Sequence, residues 1–538
     1  MAAREYDVIV VGAGAAGAVL AARLSEDRER TILLLEAGGP ARGPLFSVPL
    51  MTGVLLRARI ANWAYVTEPE PNLDNRRLAW PRGRALGGST AINGMVLARG
   101  LPSDYDGWAQ RGLPGWSHED VLPLFRRSES CPHGDPALRG RDGPLAVSRP
   151  VLDNPLFQAW IEAARQAGQP VTDDFNGAAT EGVGPLDFTI RQGRRASTAR
   201  AFLDPARVRP NLTIRTGAEV ARVLIDHGRA RGVMMQDGSI AAAREVVLCG
   251  GTIASPQLLM LSGIGPAEAL RHHGIHVLSD LPGVGANLQD HLLIRVEHAC
   301  REDITIDRLR RPDRALAAVL RAWAFGTGPA ATFPILVSGQ FRSEAALDTP
   351  DLKANFMPGL SSAALRVPFI GMRMPPSRGR GFFANIFQMR PESTGTLTLA
   401  SADPRARPRI MPNYLATGTD RRVLRRGVSL LREIFRQKAF DRFRGEELSP
   451  GPDITDDAAI DAWIRRTADT VYHPVGTCRM GPEHDRMAVV DAGLRVRGIA
   501  GLRVADASVM PSITSCNTMA PTIMIAERAA DLIKAEAG

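Results

Sequence analysis

Lysine is almost missing from this 538-residue chain: all but three of its 66 Lys and Arg residues are arginine, the exceptions being Lys353, Lys438 and Lys534. The arginines are spread out or sit in short clusters such as Arg308-Leu-Arg310-Arg311. There is no long basic run and no interleaving of arginine with aromatics. The net charge of +9 therefore reads as solvated basic faces, and nucleic-acid binding is excluded. Cysteine is scarce too. Cys131, Cys249, Cys300, Cys478 and Cys516 are odd in number and form no CxxC pair. A disulfide framework and a structural zinc site are excluded, no metal is expected, and a reducing compartment fits. Long apolar runs are also absent. A spanning helix needs about 18 or more apolar residues. Residues 315–341 come nearest, but Arg321 and Gly326-Thr-Gly-Pro329 interrupt them. Residues 6–22 are apolar from close to Met1, yet carry Asp7 and three spaced glycines and offer no cleavage site, so they do not read as a signal peptide. We expect a cytoplasmic protein with no transmembrane segment. Peripheral contact of apolar loops such as residues 367–376 with the inner membrane stays open. No internal repeat or low-complexity segment is present.

What the chain has is a globular composition, 44% hydrophobic and 23% charged, and length for more than one small fold. Residues 6–11 form a continuous apolar run of the kind found in buried parallel strands. Gly12-Ala-Gly14-Ala15-Ala16-Gly17 follows, then a helical pattern over 16–24, then a second apolar run over 31–35 that ends on Glu36. This strand–turn–helix–strand order is the context in which GxGxxG binds a dinucleotide. Gly12 permits the tight turn, Gly14 lets backbone approach a pyrophosphate, and Gly17 lets the helix pack close. The diphosphate would sit on the helix N-terminus, and Glu36 would accept from a ribose hydroxyl.

Residues 38–115 are rich in Gly, Pro and Arg and read as loops. Helices are expected over 121–127, 157–167, 255–261, 419–437, 461–467 and 521–534. Residues 212–215, 220–225 and 232–235 alternate like short antiparallel strands. Residues 245–248 are a further apolar strand, and 502–504 a short one. Residues 301–455, with scattered prolines and short strands near 382–388 and 395–399, look like a second, inserted domain.

Two longer motifs carry a resemblance. Pro81-Arg82-Gly83-Arg-Ala-Leu-Gly87-Gly88-Ser89-Thr-Ala-Ile92-Asn93-Gly94 and Gly251-Thr-Ile-Ala-Ser255-Pro256-Gln257-Leu-Leu-Met-Leu-Ser-Gly263-Ile-Gly265-Pro266 closely resemble signatures of the glucose–methanol–choline (GMC) oxidoreductases. The similarity runs from about residue 5 to the C-terminus and is weakest over 301–455. It implies an α/β (α+β) two-domain fold: a Rossmann-like FAD-binding domain, and a substrate domain built on an antiparallel sheet with helices. We expect the FAD-binding domain in residues 1–155, 190–300 and 465–538, and the substrate domain in 156–189 and 301–464. The expected cofactor set is Gly12, Gly14, Ala15, Ala16, Gly17, Glu36, Ala37, Arg82, Gly87, Gly88, Ser89, Asn93, Gly94, Met95, Val96, Val220, Asp506, Ala507, Met519 and Pro521. Gly87 and Gly88 would let backbone lie against the flavin and diphosphate. Asn93 can donate and accept, which suits the N5/O4 edge of an isoalloxazine. Covalently flavinylated members carry a histidine where this chain has Ile92, so noncovalent FAD is expected.

Tyr472-His473-Pro-Val-Gly-Thr-Cys478 matches the family's catalytic segment, and the partner position falls on Asn517. Alcohol oxidation needs a hydroxyl proton removed while hydride leaves carbon. An imidazole can take that proton, and the Asn517 amide can donate to the developing alkoxide. His291, in Asn287-Leu-Gln-Asp290-His291, matches another family segment and is expected to be structural. Asn62-Trp63-Ala-Tyr65 resembles the choline dehydrogenase branch, where Trp63 could face a quaternary ammonium by cation–π attraction. The carboxylate that pairs the cation in choline-active relatives aligns with Leu336, and an unpaired buried cation is expensive. With Trp63, Leu336 and Tyr472 as the substrate set, a neutral primary alcohol is expected, and oxygen or a quinone-type carrier as acceptor. A choline-type dehydrogenase is the alternative within the family, and an FAD-containing hydroxynitrile lyase and an NAD-linked dehydrogenase are the rival readings.

Overall fold

The computed structural model describes residues 5–362 and 379–536. In chain order its main elements are β1 (Glu5–Val11), α1 (Ala15–Leu24), β2 (Ile32–Glu36), α2 (His118–Ser128), α3 (Pro155–Gln166) and β3 (Gly182–Pro185). Then come β4 (Leu212–Thr216), β5 (Val220–Asp226), β6 (Arg229–Met235), β7 (Ile240–Leu248), α4 (Gly251–Leu261) and β8 (Leu292–Cys300). The remainder holds α5 (Pro312–Phe325), β9 (Val337–Phe341), β10 (Leu352–Met357), β11 (Gly381–Gln388), α6 (Gly418–Arg436), β12 (Arg444–Ser449), α7 (Asp457–Thr467), β13 (Asp469–Thr470), β14 (Leu502–Val504) and α8 (Met519–Glu536).

The first sheet runs β4-β2-β1-β7-β6-β5, with β14 also paired to β7. Strands β4, β2, β1, β7 and β14 are parallel, and β6 joins β7 and β5 antiparallel. Every residue of β2 is buried, as expected for a strand covered on both faces. Helix α1 is buried along almost its whole length and packs against α8, which brings the two ends of the chain together. Residues 212–215, expected to pair antiparallel with the hairpin that follows, instead run parallel to β2 at the opposite edge. Alternation specifies a strand's buried face but not the direction of its partner.

The second sheet is antiparallel in every pairing, in the order β12-β8-β11-β10-β9-β3, with β13 on β8. Helix α6 lays Val423, Leu424, Val428, Leu431, Ile434 and Phe435 onto it and turns its arginines outward. Phe356, Phe382, Phe435, Phe440 and Trp160 form the aromatic core of this half. The two-sheet architecture follows the sequence expectation, but the boundaries move. Residues 292–300 and 469–470, placed by sequence with the first domain, are strands of the second sheet. Residues 315–341 resolve into α5, which ends at Gly326 (φ +66°), a turn, and β9. Among the described residues no helix is long and apolar enough to cross a membrane. Residues 367–376 lie outside the described residues.

Candidate active site

A cavity of about 740 Å³ lies where the carboxyl edge of the first sheet faces the second. Its dinucleotide side is built by two glycine turns that cross. Gly12 (φ +99°) leaves β1 so close to the end of β7 that a Cβ there would sit 2.6 Å from the Cys249 oxygen. Gly88 (φ +50°) crosses Gly14, and a Cβ on Gly88 would lie 2.7 Å from the Gly14 Cα. A Cβ on Gly17 would lie 1.8 Å from the Gly12 oxygen, so Gly17 serves packing, as its position in the motif predicts. The N-terminus of α1 opens on the cavity through Ala15 and Ala16, with no side-chain cap. Glu36 accepts from the Ala13 N–H (3.0 Å) and the Gly38 N–H (2.8 Å), and burial pushes its carboxyl up to about 7.

Most of the expected cofactor set lines this one cavity: Gly12, Gly14, Glu36 and Ala37 with Arg82, Gly88 and Ser89. Asn93, Gly94, Met95, Val96 and Val220 join them, as do Asp506, Ala507 and Met519. Asp506 is buried and ties α4 to the chain after β14, accepting from the Gly251 N–H (2.8 Å), the Ser255 hydroxyl (2.6 Å) and the Ser508 N–H (2.8 Å). Gly87 and Pro521 do not line the cavity. Gly87 (φ +91°) makes the turn behind it and donates to the Ala13 oxygen (2.8 Å). Pro521 is buried in the first turn of α8, where Met519 and Thr522 face the cavity instead, as helical spacing requires. Asn93 is held by Arg195, which donates to its side-chain oxygen (2.8 Å), leaving Nδ2 3.2 Å from the Met519 sulfur. Arg195 is a buried guanidinium pushed down to about 9 by burial, and no sequence signal marked it.

At the other side of the cavity, residues 289–293 and 469–475 run antiparallel through the β8–β13 pairing and the Gln289–Val475 bridge. This register sets His291 and His473 opposite each other, Nδ1 to Nδ1 at 3.0 Å. His291 Nε2 lies 2.8 Å from the Met389 carbonyl, which only accepts, so His291 carries its proton there. Its Nδ1 then accepts from His473 Nδ1–H. His473 Nε2 is left as a lone pair, 3.0 Å from Asn517 Nδ2. Asp290, whose carboxyl burial pushes up to about 6, accepts from the His473 backbone N–H (2.7 Å) and from the Thr470 and Tyr414 hydroxyls. Both histidines are buried and neutral. Burial holds His291 down to about 3, and burial first, then the neighbouring His291 ring and the Lys353 and Arg82 charges, holds His473 well below its ordinary value. An unprotonated nitrogen beside an amide donor can take a hydroxyl proton and stabilise the oxygen it leaves. His291, expected to be structural, is in direct hydrogen-bond contact with His473.

The substrate residues divide. Tyr472 lines the cavity in a left-handed conformation (φ +67°), its carbonyl held by Arg82 (2.7 Å). Trp63 lines it too, but its ring is already engaged: the Arg84 guanidinium lies 4.8 Å from its centroid and Tyr65 stacks at 5.9 Å. Arg84 pairs with Glu219 (2.7 Å), beside Val220, so a cation of the protein's own occupies Trp63. Leu336 is buried in the core, its carbonyl accepting from the Leu186 N–H, while Phe333 and Ile335 face the cavity. One residue along an extended chain reverses the face. Lys353 also escaped the sequence reading. It is fully buried on β10, its amino group 3.5 Å from the Asn517 carbonyl oxygen.

The donor set and the crossing glycines fit a flavin dinucleotide: a Cβ at Gly88 would push apart the Gly14 and Gly88 turns that line the cavity. Residues 6–293 and 391–526 match the two family models described as GMC oxidoreductase. The chain is 47% identical to an oxygen-dependent choline dehydrogenase from Paraburkholderia phymatum, covering 100% of this chain and 94% of that one. It is 46% identical to a mitochondrial choline dehydrogenase from Mus musculus, covering 98% and 89%. Among solved structures, pyridoxine 4-oxidase from Mesorbium loti superposes with a TM-score of 0.87 at 33% identity, over 98% of this chain and 99% of that one.

Proposed function

The chain belongs to the GMC oxidoreductase family and is an FAD oxidoreductase, and from that premise we propose that it oxidises a neutral primary alcohol, aryl or aliphatic, to the aldehyde. His473 accepts the hydroxyl proton at Nε2. Asn517 donates from Nδ2 to the oxygen as charge builds on it. His291 accepts from His473 Nδ1–H throughout and so stabilises the imidazolium. FAD, when bound, supplies the hydride acceptor. Gly14 and Gly88 would make room for its diphosphate, and Glu36 would hold its ribose. We read the cofactor as noncovalent because position 92 is isoleucine; precipitation with acid should release all the yellow colour.

One observation supports a neutral substrate. Among the described residues, the carboxylates that line the cavity are Glu36, Glu219 and Asp506, and all three belong to the dinucleotide side. The catalytic side offers Leu293, Phe333, Ile335, Asn355, Phe383 and Arg295. Lys353 lies behind it. Arg295 is paired with Asp469 (3.6 Å), so a quaternary ammonium would find no unengaged lining carboxylate there, and burying a cation without one is costly. The second reading, choline, is favoured by similarity to proteins named choline dehydrogenases. The acceptor is read as oxygen or a quinone-type carrier.

The test mixes the enzyme anaerobically with hexanol, benzyl alcohol, hydroxymethylfurfural and choline while the flavin band is followed. Air is then admitted. Bleaching by a neutral alcohol at concentrations where choline leaves the flavin oxidised supports the proposal. Saturation by choline at the lowest concentration of the panel overturns it in favour of the second reading. Fast return of colour in air assigns oxygen as acceptor, and slow return a carrier.

A further inference from the structure

Lys353 stands out against its own chain. Nearly every other cation is arginine, yet the cation buried behind the catalytic pair is a lysine with 0% exposure and, among the described residues, no carboxylate partner. A buried ammonium without a counter-ion is expensive. Arginine presents a rigid five-donor fork, whereas lysine is a compact point charge whose three donors rotate to suit one acceptor. We propose that Lys353 is a positioning residue: it donates to Asn517 Oδ1 and so holds the amide with its NH2 group toward His473 Nε2 and the substrate oxygen. The proposal rests on the reading that His473 and Asn517 handle the substrate hydroxyl.

The geometry leaves the amide two orientations. With Nδ2 toward His473, a donor meets the bare Nε2 at 3.0 Å, and Oδ1 meets the Lys353 ammonium at 3.5 Å. Turned by 180°, two acceptors would face each other at His473 and two donors at Lys353. The lysine therefore rejects the unproductive orientation from the far side of the amide. Its own position is set by the sheet. Lys353 pairs across the strands with Phe387 of β11 and Gln340 of β9. Phe387 packs on His291 at 4.8 Å and on His473 at 6.1 Å. Gln340 is buried, and its Oε1 has no partner among the described residues, so an unpaired acceptor sits on the strand beside the lysine. The other titratable groups around the pair are few. His291 and Asp290 face His473 from the chain leading into β8, Arg82 comes from the first domain, and Cys516 precedes Asn517. Burial holds the Lys353 amine below its ordinary value, and its positive charge pushes the His473 imidazole down.

Two variants separate the two effects. Lys353→Gln keeps an N–H donor but removes the charge; Lys353→Met removes both. Wild type and variants are compared by anaerobic flavin reduction across pH, and by NMR titration of selectively labelled histidine, with His473 assigned through His473→Gln. The titration reads Lys353 whether or not any alcohol is turned over, so it stays informative if the proposed activity fails. We expect His473 to titrate at higher pH in both variants, since a nearby cation has been lost, and the acid limb of kcat/KM to rise with it. We expect Lys353→Met to slow reduction about tenfold or more at nearly constant KM, short of the full loss of an oxyanion donor, and Lys353→Gln to recover most of that rate. Unchanged titration together with wild-type reduction in Lys353→Met overturns the proposal. So does equal slowing in both variants, which would make the residue a packing element. If Lys353→Met fails to fold, Lys353→Gln decides alone: wild-type-like reduction with a raised His473 titration supports the role, and an unmoved titration refutes it.

Discussion

Replacing His291 tests the tautomer chain directly. In the resting site the His291 imidazole accepts from His473 Nδ1–H at 3.0 Å and donates to the Met389 carbonyl at 2.8 Å. When His473 takes the substrate proton, its Nδ1–H becomes a charged donor. A hydrogen bond to a charged group contributes about 1.5–3 kcal/mol, against roughly 1 kcal/mol for a neutral one. Leucine at 291 forfeits that gain in the transition state. The gain is the difference, about 0.5–2 kcal/mol, and at about 1.4 kcal/mol per decade kcat/KM should fall roughly twofold to 30-fold. The fall should appear in the flavin reduction rate and not in KM, because the ground-state alcohol does not touch His291. Leaving the buried Met389 carbonyl unpaired should also cost about 1–3 kcal/mol of stability. His291→Gln supplies an acceptor and a donor in similar places and should recover much of the rate. The assay is stopped-flow reduction under anaerobic conditions, with thermal unfolding in parallel. A His291→Leu protein reduced at the wild-type rate, or one impaired only in KM, would refute the tautomer assignment.

Three further outcomes follow from the geometry. Gly88→Ala would place a Cβ 2.7 Å from the Gly14 Cα, so the protein should purify without its 450-nm band (an approximate flavin absorption), read as the ratio of flavin to protein absorbance. Asp290 is pushed up to about 6 from 3.8: a raised carboxyl favours folding below its unfolded value, and that contribution is lost as pH rises from about 4 to 6. The ionised group then costs up to about 3 kcal/mol, so Asp290→Asn should raise Tm relative to wild type at pH 8, with the difference shrinking toward pH 4; a gap that is independent of pH would contradict this. Ile335 faces the cavity and Leu336 the core, so Ile335→Ala should change the preference among alcohols by chain length, while Leu336→Ala should leave preference alone and cost about 2–5 kcal/mol in unfolding.

The local motifs were legible because their chemistry is local. The turn from β1 through Gly12 to α1, with Glu36 closing β2, stands where the residue spacing placed it. Asn517 and His473 were found through a resemblance and lie 3.0 Å apart across 44 residues of chain. What stayed hidden depends on distant pairing. Leu336 was one residue out of register with the cavity, a slip that reverses a side chain in an extended segment. Residues 292–300 fell on the wrong side of a domain boundary because a strand's partner is chosen by the whole sheet. His291 was singled out, but its role needed the antiparallel run that sets it against His473. Lys353 had no signal: a lone charge in Leu352–Met357 reads as an exposed position until both faces of β10 are covered.

The strand order also sets a timetable for synthesis. β1 ends at Val11 and pairs with β7, which ends at Leu248, while β14, ending at Val504, completes that edge and α8 then covers α1. At about 5–20 residues per second, β1 leaves the ribosome roughly 25–100 s before β14 does. Through that interval the nascent chain carries unpaired parallel edges and an uncovered helix, the condition in which chains misassociate. The same order means that the glycine turns of the dinucleotide side are made long before His473 and Asn517, so the cofactor cradle precedes the catalytic pair.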